Sequence, residues 1–200
     1  MAFPTVDAPY GFKPINRFDG MPYAGATQLY PVTSGQAVYN GQVVAFVTGG
    51  TVSPVALTGN TSIYAVGVVT GVQYTNSSGQ TVQAQYAPSS GVSNVYAYVV
   101  NDPAAEFKVA VTNGSGVITP IAGTCLNSSV GGVTGTGDAD TGNINSSING
   151  STAATGTTLL FRVTGLVPET TNSSGLYTEV IVKFNGTWHQ QLSTVGTAPA

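Results

Sequence analysis

Charge is what this sequence has least of. Lys plus Arg number 5 and Asp plus Glu number 8 in 200 residues, a net charge of −3, where roughly a quarter of an ordinary soluble domain is charged. So few cations exclude the electrostatic footprint that holds phosphates, and nucleic acid is not an expected partner. A monomer normally relies on charged side chains for solubility, so the composition points to a protein packed in an assembly or kept in solution by Ser, Thr and Asn.

Cysteine and histidine are nearly absent. Cys125 stands alone, which excludes an internal disulfide and a cysteine metal site; it reads as a small buried hydrophobe. His189 is the only histidine, so there is no histidine metal cluster, and no Gly-x-Ser-x-Gly elbow accompanies it; it reads as a rim or interface residue beside Trp188. Of the acids, only Asp138 and Asp140 lie close together. They sit in GDADTGN (137–143), which mimics the opening of a calcium loop but has Gly142 and Asn149 where ligands belong, and so reads as a polar turn. No catalytic, cofactor-binding or metal-ligating residue is expected, and an enzyme is not the expected class. Long apolar runs are missing too: nothing approaches the ~20 residues of a spanning helix, and MAFPTVDAPYGFKP does not read as a signal peptide. The expectation is synthesis in a cytoplasm and no membrane partner. Eight Asn-x-Ser/Thr sequons, from Asn60 to Asn185, then reflect turn composition.

What the chain does have is strand pattern. Gln28–Val32, Gln42–Thr48, Thr51–Leu57, Ile63–Val72 and Thr81–Tyr86 alternate in period two or form β-branched runs, punctuated by Gly, Asn, Ser and Pro. Within Ile63–Gly71, Gly67 and Gly71 predict a bulge or barrel corner. Tyr96–Thr112 is the expected heart of the fold. Val95–Val100 is apolar on both faces and should be central; Asn101-Asp102-Pro103 turns the chain; Phe107, Val109 and Val111 then alternate with Glu106, Lys108 and Ala110, and the two runs read as a strand pair. Thr158–Leu166 and Glu179–Phe184 complete the set, with Asn185-Gly186 turning toward Trp188. No stretch carries helical period, although Pro103–Glu106 has room for one turn. The expected fold is all-β, a sandwich or barrel.

Two stretches stand apart. Residues 1–26 hold four of the eleven prolines with Phe3, Tyr10, Phe12, Phe18 and Tyr23, which predicts an extended N-terminal arm lying on another surface, with residues 27–200 forming a single β domain. Residues 127–158 are almost wholly Gly, Ser, Thr, Asn and Ala, which predicts a long loop-like excursion, preceded by short strands at Val117–Ile121 and Ala122–Leu126.

Three motifs carry a resemblance. APYGFKP (8–14) with Gly20, Pro22, Tyr23, Gly25 and Thr27; VNDP (100–103) leading into EFKV (106–109); and LFRV (160–163) with Gly165, Leu166, the Asn172–Gly175 turn, VIVKFN (180–185) and His189 are similar to small virion proteins of tailed bacteriophages, particularly phages of marine bacteria and cyanobacteria. Asn101 stands where that resemblance leads one to expect an acid, and charges are scarcer. The resemblance implies a head decoration, or cement, protein on the outer surface of the virion capsid, clamping neighbouring capsomers of the major capsid protein; on such a shell the expected assembly is a closed trimer or dimer at a symmetry axis. The expected capsid contacts are Phe3, Tyr10, Phe12, Phe18 and Tyr23 as aromatic anchors, with Lys13 and Arg17 pairing acids on the shell. The alternative is a phage fibre, adhesin or host-glycan-binding surface module, since solvent-facing Tyr and Trp188 beside Asn and Gln suit sugars.

Overall fold

Alternation of Val with polar or small residues produces fourteen strands and one short 3-10 turn in the computed structural model, which describes residues 8–58, 64–112, 126–156, 158–170 and 178–192. The strands are β1 (Lys13–Arg17), β2 (Gln28–Pro31), β3 (Val38–Tyr39), β4 (Val43–Phe46), β5 (Val52–Pro54), β6 (Gly67–Asn76), β7 (Thr81–Ala84), β8 (Tyr86–Ala87), β9 (Val92–Val100), β10 (Ala105–Thr112), β11 (Ser129–Val133), β12 (Ser147–Ala154), β13 (Phe161–Leu166) and β14 (Glu179–Phe184). The protein is all-β.

One sheet runs β1-β10-β12-β11-β13-β14, and β14 returns to pair β10, so β10 to β14 close a five-stranded barrel. β1 pairs the first half of β10, on the same edge where β12 pairs its last two residues, in parallel. A second sheet, β2-β9-β6-β4-β5, with β7 extending the far half of β6, and a two-stranded sheet, β3-β8, arise entirely from residues between β1 and β10. A parallel bridge between Val32 and Val52, with Thr33 N–H donating to the Val52 carbonyl at 2.9 Å, draws the two edges of the second sheet together. The fold is a barrel with a curled, inserted lobe.

Period-two alternation lets three strands wall both cores. Val43, Val68 and Val100 point toward the barrel core, with Phe12, Phe107, Phe161 and Phe184. Their neighbours Val44, Val69 and Val99 point into the inserted lobe, with Val38, Val52, Val66 and Ala97. Trp188–Gln190 stitches the two together: Ala65 N–H donates to the Trp188 carbonyl (3.0 Å), and Gln190 N–H to that of Ala65 (2.8 Å).

Several expectations are corrected. The two runs of Tyr96–Thr112 do not pair; β9 and β10 belong to different sheets, and Asn101-Asp102-Pro103 is the crossing between lobes. Val99 and Val100 face different cores, so a strand covered on both sides reflects two lobes rather than one hairpin. β9 is central, lying between β2 and β6. Pro103 and Ala104 form a turn and not a helical one.

Residues 127–158 are no structureless excursion, since they supply β11 and β12, with Val130, Ile144 and Ile148 buried. Their sparse apolar side chains fall at inward positions, while hydroxyls bind the backbone: Gly131 N–H donates to Thr152 Oγ1 at 2.8 Å and Gly135 N–H to Ser146 Oγ at 3.0 Å. The glycines permit approach that bulk would block, for a Cβ on Gly132 would sit 2.9 Å from the Leu57 side chain. Val117–Ile121, Ala122–Cys125 and the Asn172–Gly175 turn lie outside the described residues.

Nor do residues 8–26 stand off as an arm. β1 is hydrogen-bonded to β10 in register Lys13 to Lys108, and Phe12 is fully buried, its ring stacked on Phe161 at 4.7 Å. Prolines allow this because β1 is an edge strand, where a missing N–H costs little.

Candidate interaction surface

Four of the five cations, Lys13, Arg17, Lys108 and Lys183, lie on β1, β10 and β14. Strand register explains the clustering: Lys13 lies opposite Lys108, Lys108 opposite Ile181, and Ala110 opposite Glu179, all on the outer face of the barrel. Lys108 Nζ is 3.3 Å from Glu179, whose other oxygen accepts the Tyr10 hydroxyl, and the ammonium lies 5.5 Å from the centre of the Tyr10 ring. Burial, then the hydrogen bond and negative charge of Glu179, push the Tyr10 phenol far above its ordinary range. Lys13 donates to Asn143 Oδ1 at 2.8 Å, and burial lowers its pKa.

At one end of this face the chain folds back in a tight loop. Asn16 and Pro22 form a bridge, Arg17 N–H donates to the Met21 carbonyl (2.8 Å), Gly20 N–H to that of Arg17 (2.9 Å) and Phe18 N–H to that of Ala104 (2.8 Å). Gly20 sits at φ +83°, a backbone state natural to glycine at such a bend. The Arg17 guanidinium is 2.9 Å from Asp102 and 3.4 Å from Asp19. So held, the loop presents Phe18 (59% exposed) and Met21 (56% exposed) to solvent, with the Lys183 ammonium 3.5 Å over the Phe18 ring.

The expected contact residues therefore separate. Phe18 and Arg17 come together on an exposed loop. Tyr10 and Phe12 are engaged within the fold, and Phe12 reaches no second protein unless the barrel opens. Lys13 lies along the same outer face, Tyr23 packs its ring partly on the barrel core with its hydroxyl donating to the Ala26 carbonyl, and Phe3 lies outside the described residues. Met21, Asp102 and Lys183 were missed. Phe18 and Met21 at a Gly-Pro bend, both apolar and neither in a period-two run, were the available signal.

The GDADTGN loop is a self-satisfied turn. Asp138 accepts from Asp140 N–H (2.9 Å) and from the Thr141 hydroxyl (3.1 Å), and those bonds lower its pKa. Asn143 of that loop holds the Lys13 ammonium, which disfavours a cation there. Among the described residues no three His, Cys, Asp or Glu side chains gather as a metal site, and no helix is long and apolar enough to cross a membrane.

His189 is not on a rim. It is fully buried where the lobes join, against the Phe184 ring, and burial, opposed by the Val66 carbonyl and the charge of Asp102, lowers its pKa to about 4. Its Nδ1 accepts from Gln191 N–H at 3.3 Å, which assigns the proton of the neutral ring to Nε2. The unfolded chain binds this proton near pH 6.5 and the folded chain only near 4. The stabilisation is thus present above pH 6.5 and is lost as pH falls through this window, by a total on the order of 2–3 kcal/mol. The urea midpoint of the wild type should fall more steeply from pH 7 to pH 4 than that of His189→Gln; equal slopes would refute this.

The fold and this surface define an all-β protein of two lobes with four of its five cations gathered on β1, β10 and β14 and an apolar loop tip beside them. No family model matches the chain, and no curated protein or solved structure matches it.

Proposed function

We propose that this is a non-catalytic structural protein of a phage virion, which binds the outer surface of the capsid and clamps neighbouring capsomers of the major capsid protein. The observation that carries this reading is the loop Asn16–Pro22, whose exposed Phe18 and Met21 are held by backbone bonds and rimmed by Arg17, Asp19, Asp102 and Lys183. A rigid apolar anchor with a polar rim is what an interface hot spot requires, because little entropy remains to be lost on docking. The scarcity of charge and the resemblance of the motifs around Gly11, Pro103 and Val182 support the same reading. A protein that binds only the assembled shell stabilises it by linkage, and a symmetric dimer or trimer multiplies a modest energy per site.

The test is addition of the chain to expanded capsids that lack it, with occupancy measured by cryo-microscopy. Phe18→Asp, at a largely exposed position outside both cores, should weaken binding by roughly thirtyfold, the scale of losing one hot-spot side chain. Undiminished occupancy by the variant, or placement of the chain on a tail, would refute the reading.

A further inference from the structure

The inserted lobe carries no charge. From Gly20 to Asn101 the sequence has no Asp, Glu, Lys, Arg or His, so the surface of β2 to β9 is built from hydroxyls, amides, tyrosines and aliphatic groups. At its far end lies a cleft of about 320 Å³, between the turn that follows β2 and the start of β9. Pro31 and Tyr96 form an apolar wall, and Ser34, Gln36, Ser89 and Ser93 supply polar groups. Among the described residues, none of those four side chains has a hydrogen-bond partner within the chain. Next to the cleft, the outer face of the sheet continues the pattern. Tyr96 lies opposite both Pro31 and Gln73, and Tyr98 opposite Leu29 and Gly71, so the two tyrosines share one face about 7 Å apart along the strand. The Tyr98 hydroxyl donates to Gln73 Oε1 at 3.1 Å and accepts from Gln83 Nε2 at 3.4 Å.

We propose that this cleft and the adjoining tyrosine face bind an uncharged oligosaccharide. A pyranose ring offers an apolar C–H face and a rim of hydroxyls; the first matches the tyrosine rings and Pro31, the second the unpartnered Ser and Gln side chains. The volume falls in the range of small-ligand sites. An anionic ligand would find no counter-charge anywhere in the lobe, and the cations of the protein lie on the barrel. Each site is shallow and binds weakly, but several copies held together would bind a polymeric glycan with avidity. The inference does not rest on the capsid reading, because it is tested on the isolated chain.

The test is saturation-transfer NMR on the full chain, with panels of uncharged gluco-, manno- and galacto-oligosaccharides and a sulfated counterpart of each. At least one uncharged panel should show transfer at millimolar concentration, the sulfated counterpart less, and Tyr96→Ala should weaken binding at least fivefold. Gln36→Ala, on an exposed turn, serves as the second variant and should also weaken it. Absence of transfer from every uncharged panel, preference for the sulfated sugars, or binding by either variant as tight as that of the wild type would overturn the proposal.

Discussion

Phe12→Ala should lower stability by about 3–5 kcal/mol, and a chain begun at Thr27 should fail to form the barrel at all. The Phe12 side chain is fully buried and stacks on Phe161, which in turn packs against Phe184 at 5.3 Å, so its loss leaves a cavity in the middle of an aromatic cluster. Its backbone is equally engaged, with Phe12 N–H donating to the Gly41 carbonyl and Gly11 N–H to that of Ser146. Set against a typical 5–15 kcal/mol for a whole domain, this single side chain carries a large share of the stability. Urea unfolding followed by tyrosine fluorescence measures it. A fragment from Thr27 onward that unfolded cooperatively at the midpoint of the full chain would show the N-terminal segment to be a detachable arm after all.

Gly67→Ala should be as damaging, for a different reason. A Cβ at Gly67 would lie 2.1 Å from the Val100 carbonyl oxygen and 2.8 Å from both the Val100 carbonyl carbon and Val99 Cγ1. The obstacle is backbone in the wall shared by the two cores, so relief requires prising β6 from β9. We expect a loss of more than about 3 kcal/mol, in the class of severe overpacking and strain. Gly71→Ala is the control: its added carbon would meet only the Ala84 carbonyl at 3.5 Å and Tyr98 Cδ2 at 3.9 Å, ordinary contacts. Similar melting temperatures for the two variants would refute this account.

The strands were legible because burial in a sheet writes itself into alternate residues. β4, β6, β9, β10, β13 and β14 fall within or overlap runs marked by Val, Ile and Phe, and a register shift occurs at Val69/Gly71, where glycine predicted one. Partnership was not legible. Nothing local in Val95–Val100 distinguishes a central strand of one sheet from a strand walling two cores, and only the three-dimensional arrangement parts Val99 from Val100. β11 and β12 were hidden for the opposite reason: their stabilisation comes from ladder bonds, hydroxyl-to-backbone bonds and close glycine approach, none of which leaves an apolar period. The same limit governs the interaction surface. The Arg17 and Phe18 side chains could be picked out as candidates, but Asp102 and Lys183 reach that loop only through the pairing of distant strands.

The insertion of one lobe between β1 and β10 also constrains how the protein comes into being. On the ribosome, β1 emerges before its partner β10, with the whole uncharged lobe made in between, and the barrel closes only when β14 joins β10. The inserted lobe, whose strands pair among themselves, can assemble early; the barrel must wait for β14. Such long-range closure is slow, and Phe12 and the valines of β6 and β9 that face the barrel stay uncovered meanwhile. Dilution or a chaperone during synthesis should therefore raise the yield of folded protein more than any change to the finished surface.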